Sequence, residues 1–148
     1  MPSFVSVAAN QKMENKKGSR TSGRSLTPFA VFIFLIAVIL QLIDYLVVKH
    51  FPYSVNSNLI FGVFAGNFLA IAISILILVT ILFLRKKLTG LGLILITGGL
   101  ISNLMDRIIY SGVIDYFTLW FIPKFNTADL LIVAGAILLG LKIIRRDA

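Results

Sequence analysis

The side chains best suited to chemistry lie between residues 95 and 131: Asp115 and Asp129, preceded by Asn103 and Asp106. The whole chain has only six acidic residues, so three in one stretch are a marked concentration. Two carboxylates that share one proton can hold a water, which the ionised group activates while the protonated group donates to a substrate carbonyl. Repulsion raises the pKa of one partner, so both forms coexist. These residue types indicate hydrolysis that requires no metal, thiol or histidine.

The same two carboxylates also have structural interpretations. Asp129 could complement the dipole of a helix that begins near it, with Asn126 or Thr127 as the N-cap. Asp115 could be a solvated loop residue. The functional interpretation requires the segment between the two aspartates to fold back and bring them together, and their spacing of 14 residues does not decide between these possibilities.

The neighbouring polar residues leave similar alternatives. Asp106 and Arg107, following Asn103, could form an exposed ion pair worth about 0–1 kcal/mol, or they could position the catalytic pair and the substrate backbone. Asp44 lies inside an apolar segment, where a charged group is costly and therefore a functional candidate. It could pair with Lys49 or a neighbouring helix, and its depth favours a polar cavity.

The composition excludes several classes of function. Hydrophobic residues make up 58% of the 148-residue chain and charged residues 14%, against about 25% charged in soluble domains, so much of the surface must face lipid. Without cysteine there are no disulfides or thiolate metal sites, and a single histidine cannot form a His cluster. The net charge of +8 occurs in short clusters between apolar segments, which argues against nucleic-acid binding.

Four apolar segments follow a polar, basic N-terminal stretch. They cover approximately 26–48, 66–84, 88–105 and 128–144, each near the ~20 residues with which a helix crosses a bilayer. Helices satisfy all backbone groups internally, so they are the expected state in lipid. The sequence therefore predicts an all-α membrane protein with four transmembrane helices, formed by residues 26–148, and a disordered tail at residues 1–25.

The basic residues predict an orientation. Eleven of the fourteen Lys and Arg lie in the tail, between the second and third segments, or at the C-terminus. The positive-inside rule then places both termini in the cytoplasm and the loops 49–65 and 106–127, with small extramembrane elements, on the outer face. Asp44, Asp106, Asp115 and Asp129 all fall at or near that face, although they were not used to choose the orientation.

Small residues predict how the third segment packs. Gly92, Gly99, Asn103 and Asp106 are separated by seven, four and three positions. If the helix continues through Asp106, these four residues share one stripe. Small residues allow membrane helices to approach closely, so this stripe should face neighbouring helices.

Aromatic residues occupy the last long loop. Tyr116, Phe117, Trp120 and Phe121 lie there in close succession. They are typical of an aromatic belt at the membrane interface, and the same segment could also be a lid that covers a site.

Three motifs in order resemble a known family. The run Gly98–Arg107 resembles the Gly-Gly-x-x-Gly-Asn-x-x-Asp-Arg signature of lipoprotein signal peptidases (signal peptidase II), with Ser102 in place of a Gly. Val113–Asp115 and Phe125–Asp129 match the next two family elements. Asn56 with Phe61-Gly62 is similar to an upstream element, and Asp44 falls where the family has an Asp in its first span.

The resemblance implies a membrane-embedded aspartic endopeptidase of the bacterial inner membrane. Such an enzyme removes the signal peptide from diacylglyceryl-modified prolipoproteins, cutting before the lipidated Cys, with lipid and prolipoprotein as partners and no cofactor, metal or nucleic acid. The resemblance also implies a small extramembrane sheet and a short interfacial helix. It assigns catalysis to Asp115 and Asp129, and supporting or substrate-binding roles to Asn103, Asp106, Arg107, Asn126, Asn56 and Asp44.

The sequence leaves two alternatives to the peptidase function open. An inactive relative would bind signal peptides without cutting them. A small proton-coupled transporter would use the intramembrane acids, but it requires polar residues along the inner halves of the segments, which are almost entirely apolar.

Overall fold

The computed structural model describes residues 26–57, 66–84 and 90–147. The predicted tail at 1–25, the basic turn Arg85–Lys87 and the Phe61-Gly62 part of the upstream element lie outside these residues.

Four long helices dominate the described residues. They are α1 (Leu26–His50), α2 (Asn67–Leu84), α3 (Leu91–Tyr110) and α4 (Thr127–Asp147). All four are long and apolar enough to cross a membrane. They expose many large apolar side chains, as Phe34, Phe68 and Ile144 illustrate, which is the pattern expected of helices that pack against lipid as well as against each other. The prediction of four helices able to span a membrane is confirmed.

One boundary was wrong. The hydropathy pattern ended the third span at residue 105 and placed 106–127 in a loop, whereas α3 continues to Tyr110. Asp106 and Arg107 are buried, and their polar groups bond to α1, α2 and a strand. Because these partners satisfy the charged pair inside the protein, it does not end the helix.

Helix α3 packs against the other three helices, and its glycines set two of the contacts. A Cβ on Gly98 would lie 2.6 Å from Ile36 Cγ2 of α1. On Gly99 it would lie 2.7 Å from the Ala128 carbonyl oxygen of α4. Gly98 thus makes room for a side chain of α1, and Gly99 lets the backbones of α3 and α4 approach closely. Gly92 does the same, since a Cβ there would lie 2.6 Å from the Gly135 carbonyl oxygen of α4, so the predicted stripe does face neighbouring helices.

Two small antiparallel sheets connect the helices at one end of the bundle. β1 (Ser54–Asn56) follows α1 and pairs with β2 (Val113–Asp115), which follows α3. β3 (Phe117–Leu119) and β4 (Ile122–Phe125) form a hairpin before α4. The resemblance implied a small sheet, and these strands form two; their place outside the membrane remains a prediction. In the described parts of the two connections, 51–57 and 111–126, there is no short helix.

Gly112 explains how β1 reaches β2. A Cβ at this position would lie 2.9 Å from both the carbonyl carbon and the carbonyl oxygen of Asn56. Only glycine permits this approach, which places Ser54 opposite Asp115 and brings Asn56 into the site described below.

Candidate active site

Asp115 and Asp129 line one cleft of about 530 Å³. It lies at the end of the bundle where α1 and α3 finish and α2 and α4 begin. Asp115 is the last residue of β2 and is buried, whereas Asp129 is half-buried in the first turn of α4. Burial raises the pKa of Asp115, and the negative charge of Asp129 raises it further. The fold brings together the two residues that sequence selected, and their catalytic role remains a prediction.

Asp115 is held by the strand that pairs with its own. Asn56 Nδ2 donates to Asp115 Oδ2 over 2.9 Å, and Ser54 Oγ donates to the Asp115 carbonyl oxygen over 3.3 Å. Burial raises the pKa of Asp115 from 3.8 to about 6, and the charge of Asp129 adds to this effect. The Asn56 hydrogen bond and the charge of Arg107 lower it. Asp115 is therefore a buried residue and not a solvated one. At mildly acid pH its carboxyl group keeps a proton that an ordinary aspartate would have lost.

Asp129 is held by two asparagines. Asn103 Nδ2 donates to Asp129 Oδ1 over 2.9 Å, and the Asn126 backbone N–H donates to Oδ2 over 3.2 Å. Asn126 Oδ1 accepts from the Asp129 backbone N–H over 2.9 Å, so Asn126 and Asp129 form a reciprocal cap at the start of α4. Asn126 Nδ2 also donates to Asn103 Oδ1 over 2.9 Å. The helix-cap interpretation of Asp129 is thus correct, and the same cap fixes its carboxylate at the cleft.

Asp106 supports the site from behind and does not line the cleft. Its Oδ1 accepts from Gln41 Nε2 of α1 over 2.8 Å, and its Oδ2 accepts from the Ile114 backbone N–H over 3.3 Å. Ile114 directly precedes Asp115, so Asp106 ties β2 to the helix bundle. Because Asp106 and Arg107 are both buried, the interpretation as an exposed ion pair is wrong.

Arg107 lines the cleft, and its positive charge lowers the pKa of Asp115, against the larger effect of burial. Asn67, the first residue of α2, donates from Nδ2 to the Arg107 carbonyl oxygen over 2.9 Å. Arg107 Nη1 donates to Asn67 Oδ1 over 3.5 Å. Arg107 thereby connects α2 to the site.

Asp44 is buried in α1 and does not line the cleft. Asn56 and Asn103, which were also predicted to belong to the site, do line it. Burial and the negative charge of Asp44 raise the pKa of Tyr116. Tyr116 itself is half-buried, whereas Trp120 and Phe121 at the hairpin tip are among the most exposed residues described. The loop aromatics therefore do not act as one group.

Sequence reasoning missed three residues that hold the site together: Gln41, Asn67 and Tyr116. Gln41 and Asn67 carried a usable signal, because each is an amide in or at the start of an otherwise apolar segment. Tyr116 carried none, since its aromatic neighbours gave it the same interfacial interpretation as theirs.

The comparisons with known proteins agree with this geometry. Residues 29–145 match the family model described as signal peptidase (SPase) II. A lipoprotein signal peptidase of Clostridium acetobutylicum is 31% identical, over 70% of this chain and 77% of that relative. One from Burkholderia mallei is also 31% identical, over 86% of this chain and 94% of that relative.

A solved structure gives the same result for the fold. A bacterial membrane enzyme determined by the in meso method at 2.3 Å resolution aligns with a TM-score of 0.74 and 17% identity. The alignment covers 84% of this chain and 92% of that one. The family match spans most of the chain and includes every residue of the cleft. The chain therefore belongs to the signal peptidase II family, a family of proteases of bacterial membranes.

Proposed function

We propose that this protein is an aspartic endopeptidase that removes the signal peptide from diacylglyceryl-modified prolipoproteins, cutting before the lipidated Cys. One observation carries the proposal: Asp115 and Asp129 enter a single cleft from different elements, and each carboxylate is held there by an asparagine side chain. The relatives are named lipoprotein signal peptidases, which supplies the substrate class.

The two carboxylates have different surroundings, and these assign their roles. Burial keeps the proton on Asp115 up to about pH 6, so Asp115 is the general acid. The Asp129 carboxylate is half-buried at the cleft and accepts two hydrogen bonds that fix its position, so we assign the general base to Asp129. Asp129 takes a proton from a water, the water oxygen bonds to the scissile carbonyl carbon, and Asp115 protonates the carbonyl oxygen.

Collapse of the resulting tetrahedral intermediate completes the reaction. The C–N bond breaks, the amine of the Cys leaves with the proton that Asp129 had taken, and the hydroxyl proton returns to Asp115. The signal peptide is released with a new carboxyl group. Both carboxyls regain their starting protonation states, so the proposed cycle needs no further reactant.

The setting of the cleft fits a lipid-modified substrate. Its polar end contains the aspartates and Arg107, and it continues onto Leu130 and Val133 of α4, which are 48% and 57% exposed. These side chains offer an apolar surface where acyl chains and membrane meet. Arg107 and Asn56 could pair with the substrate backbone, which has no water partners at that depth.

The proposed orientation follows from charge. We place the cleft and both small sheets on the outer face of the bacterial inner membrane, both termini in the cytoplasm, residues 1–25 as a basic tail and residues 26–148 as the peptidase domain. This puts the dyad on the side where a translocated precursor presents its modified Cys.

The test uses the full chain in lipid nanodiscs with one precursor peptide in two forms, with a diacylglyceryl-modified Cys and with a free Cys. We expect release of the signal peptide from the modified form alone, with a mass that ends at the residue before Cys. Cleavage elsewhere, or equal cleavage of both forms, would refute the substrate assignment. An intact precursor that remains bound would identify the inactive relative.

The raised pKa of Asp115 predicts a pH dependence. Because the general acid must be protonated, kcat/KM should fall as pH rises through about 6. Replacing Asn56 with Leu removes a hydrogen bond that lowers this pKa. The alkaline limb of the pH profile, where kcat/KM falls, should therefore move to higher pH by about one unit, which is the value of one hydrogen bond to a charged group. Ser54→Ala, which loses a bond to the Asp115 carbonyl oxygen only, is the matched control. A limb that does not move in Asn56→Leu would reject Asp115 as the acid.

A further inference from the structure

Tyr116 lies between the segments that carry the two aspartates. Its backbone directly follows Asp115, and its N–H donates to the carbonyl oxygen of Phe125 over 3.2 Å. Its hydroxyl lies 2.6 Å from Thr127 Oγ1 and accepts from the Thr127 backbone N–H over 3.2 Å. Thr127 is the first residue of α4, two positions before Asp129. One residue therefore bonds to both sides of the α4 start.

The Thr127 N–H is one of the backbone donors that a helix leaves unsatisfied at its N-terminus. Asn126 satisfies the N–H of Asp129 in the same turn, and Tyr116 satisfies that of Thr127. The first turn of α4 is thus capped twice, once by the residue that directly precedes the helix and once by the residue after Asp115.

A buried carboxylate also influences this hydroxyl. Asp44 is only 3% exposed within α1, and burial together with the negative charge of Asp44 raises the pKa of Tyr116. A tyrosine hydroxyl can accept two hydrogen bonds and donate one, so it can bond to both Thr127 groups at once. The hydroxyl therefore links the segment after β2 to the start of α4.

We propose that Tyr116 is a positioning residue that fixes the first turn of α4, and with it Asp129, relative to Asp115. The proposal rests on the proposed function. Tyr116 does not line the cleft, so it acts through Thr127 and does not contact the reacting atoms.

The test is Tyr116→Phe, which removes the hydroxyl and keeps the ring that packs against Phe117 at 4.8 Å between centroids. We expect kcat to fall about 10- to 100-fold, because small displacements of a catalytic group have effects of this size, with KM changed less than twofold. Tyr53→Phe removes a hydroxyl from a side chain that is 43% exposed and should behave as wild type. Thr127→Ser keeps the hydroxyl partner and should retain most of kcat, whereas Thr127→Val should not.

Amide hydrogen exchange supplies a readout that does not depend on activity. In Tyr116→Phe, exchange should accelerate at Thr127–Asp129 and stay unchanged in the middle of α4. Wild-type kcat together with wild-type exchange in Tyr116→Phe would overturn the inference, as would a raised KM at unchanged kcat, since that would indicate substrate contact. Failure of the proposed function is recognised separately, by a wild-type protein that does not cleave the modified precursor.

Discussion

Replacing either Asp115 or Asp129 with Asn is expected to lower the cleavage rate of a diacylglyceryl-modified precursor by at least about 10³-fold. Asn has nearly the same shape as Asp, but it cannot carry the proton that each step transfers. Asn56 and Asn103 can still bond to the new amide oxygen, so the cleft should keep its form. The measurement is single-turnover cleavage in nanodiscs, with thermal unfolding recorded for each variant.

Asp106→Asn is the matched comparison, because it makes the same chemical change at a buried aspartate outside the cleft. Its carbonyl oxygen can still accept a hydrogen bond from Gln41 or Ile114, so we expect lower thermal stability and substantial remaining activity. If Asp106→Asn were inactive while Asp115→Asn cleaved normally, the assignment of the dyad would be wrong.

The second large effect is expected from Gly99→Val, a substitution outside the residues that line the cleft. A Cβ on Gly99 would lie 2.7 Å from the Ala128 carbonyl oxygen and 2.8 Å from Ile132 Cγ1. The first contact is with backbone and cannot be relieved by a rotamer change, so α3 and α4 must separate. Overpacking of this kind costs about 1–3 kcal/mol or more. Asn103 lies one turn further along α3 and bonds to Asp129, so this separation should also misalign the dyad.

We therefore expect Gly99→Val to lower both the unfolding temperature and the cleavage rate, the latter by about 10²-fold or more. Gly140→Val is the control, because a Cβ at Gly140 meets nothing within 4 Å. Equal behaviour of the two variants in both measurements would show that close packing of α3 on α4 does not position Asp129.

The sequence was sufficient to predict the helices and the two aspartates. Long apolar segments leave helices as the only structure that satisfies the backbone in lipid, and three ordered motifs pointed to Asp115 and Asp129. The family match confirms the resemblance itself. The strands were foreseen only through that resemblance, since β1 and β2 have three residues each and form by pairing across 57 to 61 positions.

Other features depend on contacts that local patterns do not encode. The extension of α3 through Asp106 and Arg107 depends on Gln41 and Asn67, which lie in other helices. Asn56 was predicted to support the site or contact the substrate, and its bond to Asp115 arises only because Gly112 admits β1. The same holds for Tyr116, whose bonds to Thr127 cross the hairpin.

The most direct test of the account compares Asp115→Asn, Asp129→Asn and the double variant in one single-turnover assay. If the two carboxylates act as one unit, removing the second costs nothing further, because the first substitution has already stopped the proton transfers. We predict the same background rate for all three proteins. A single variant with measurable cleavage that falls further in the double variant would contradict the account, because the two residues would then contribute independently.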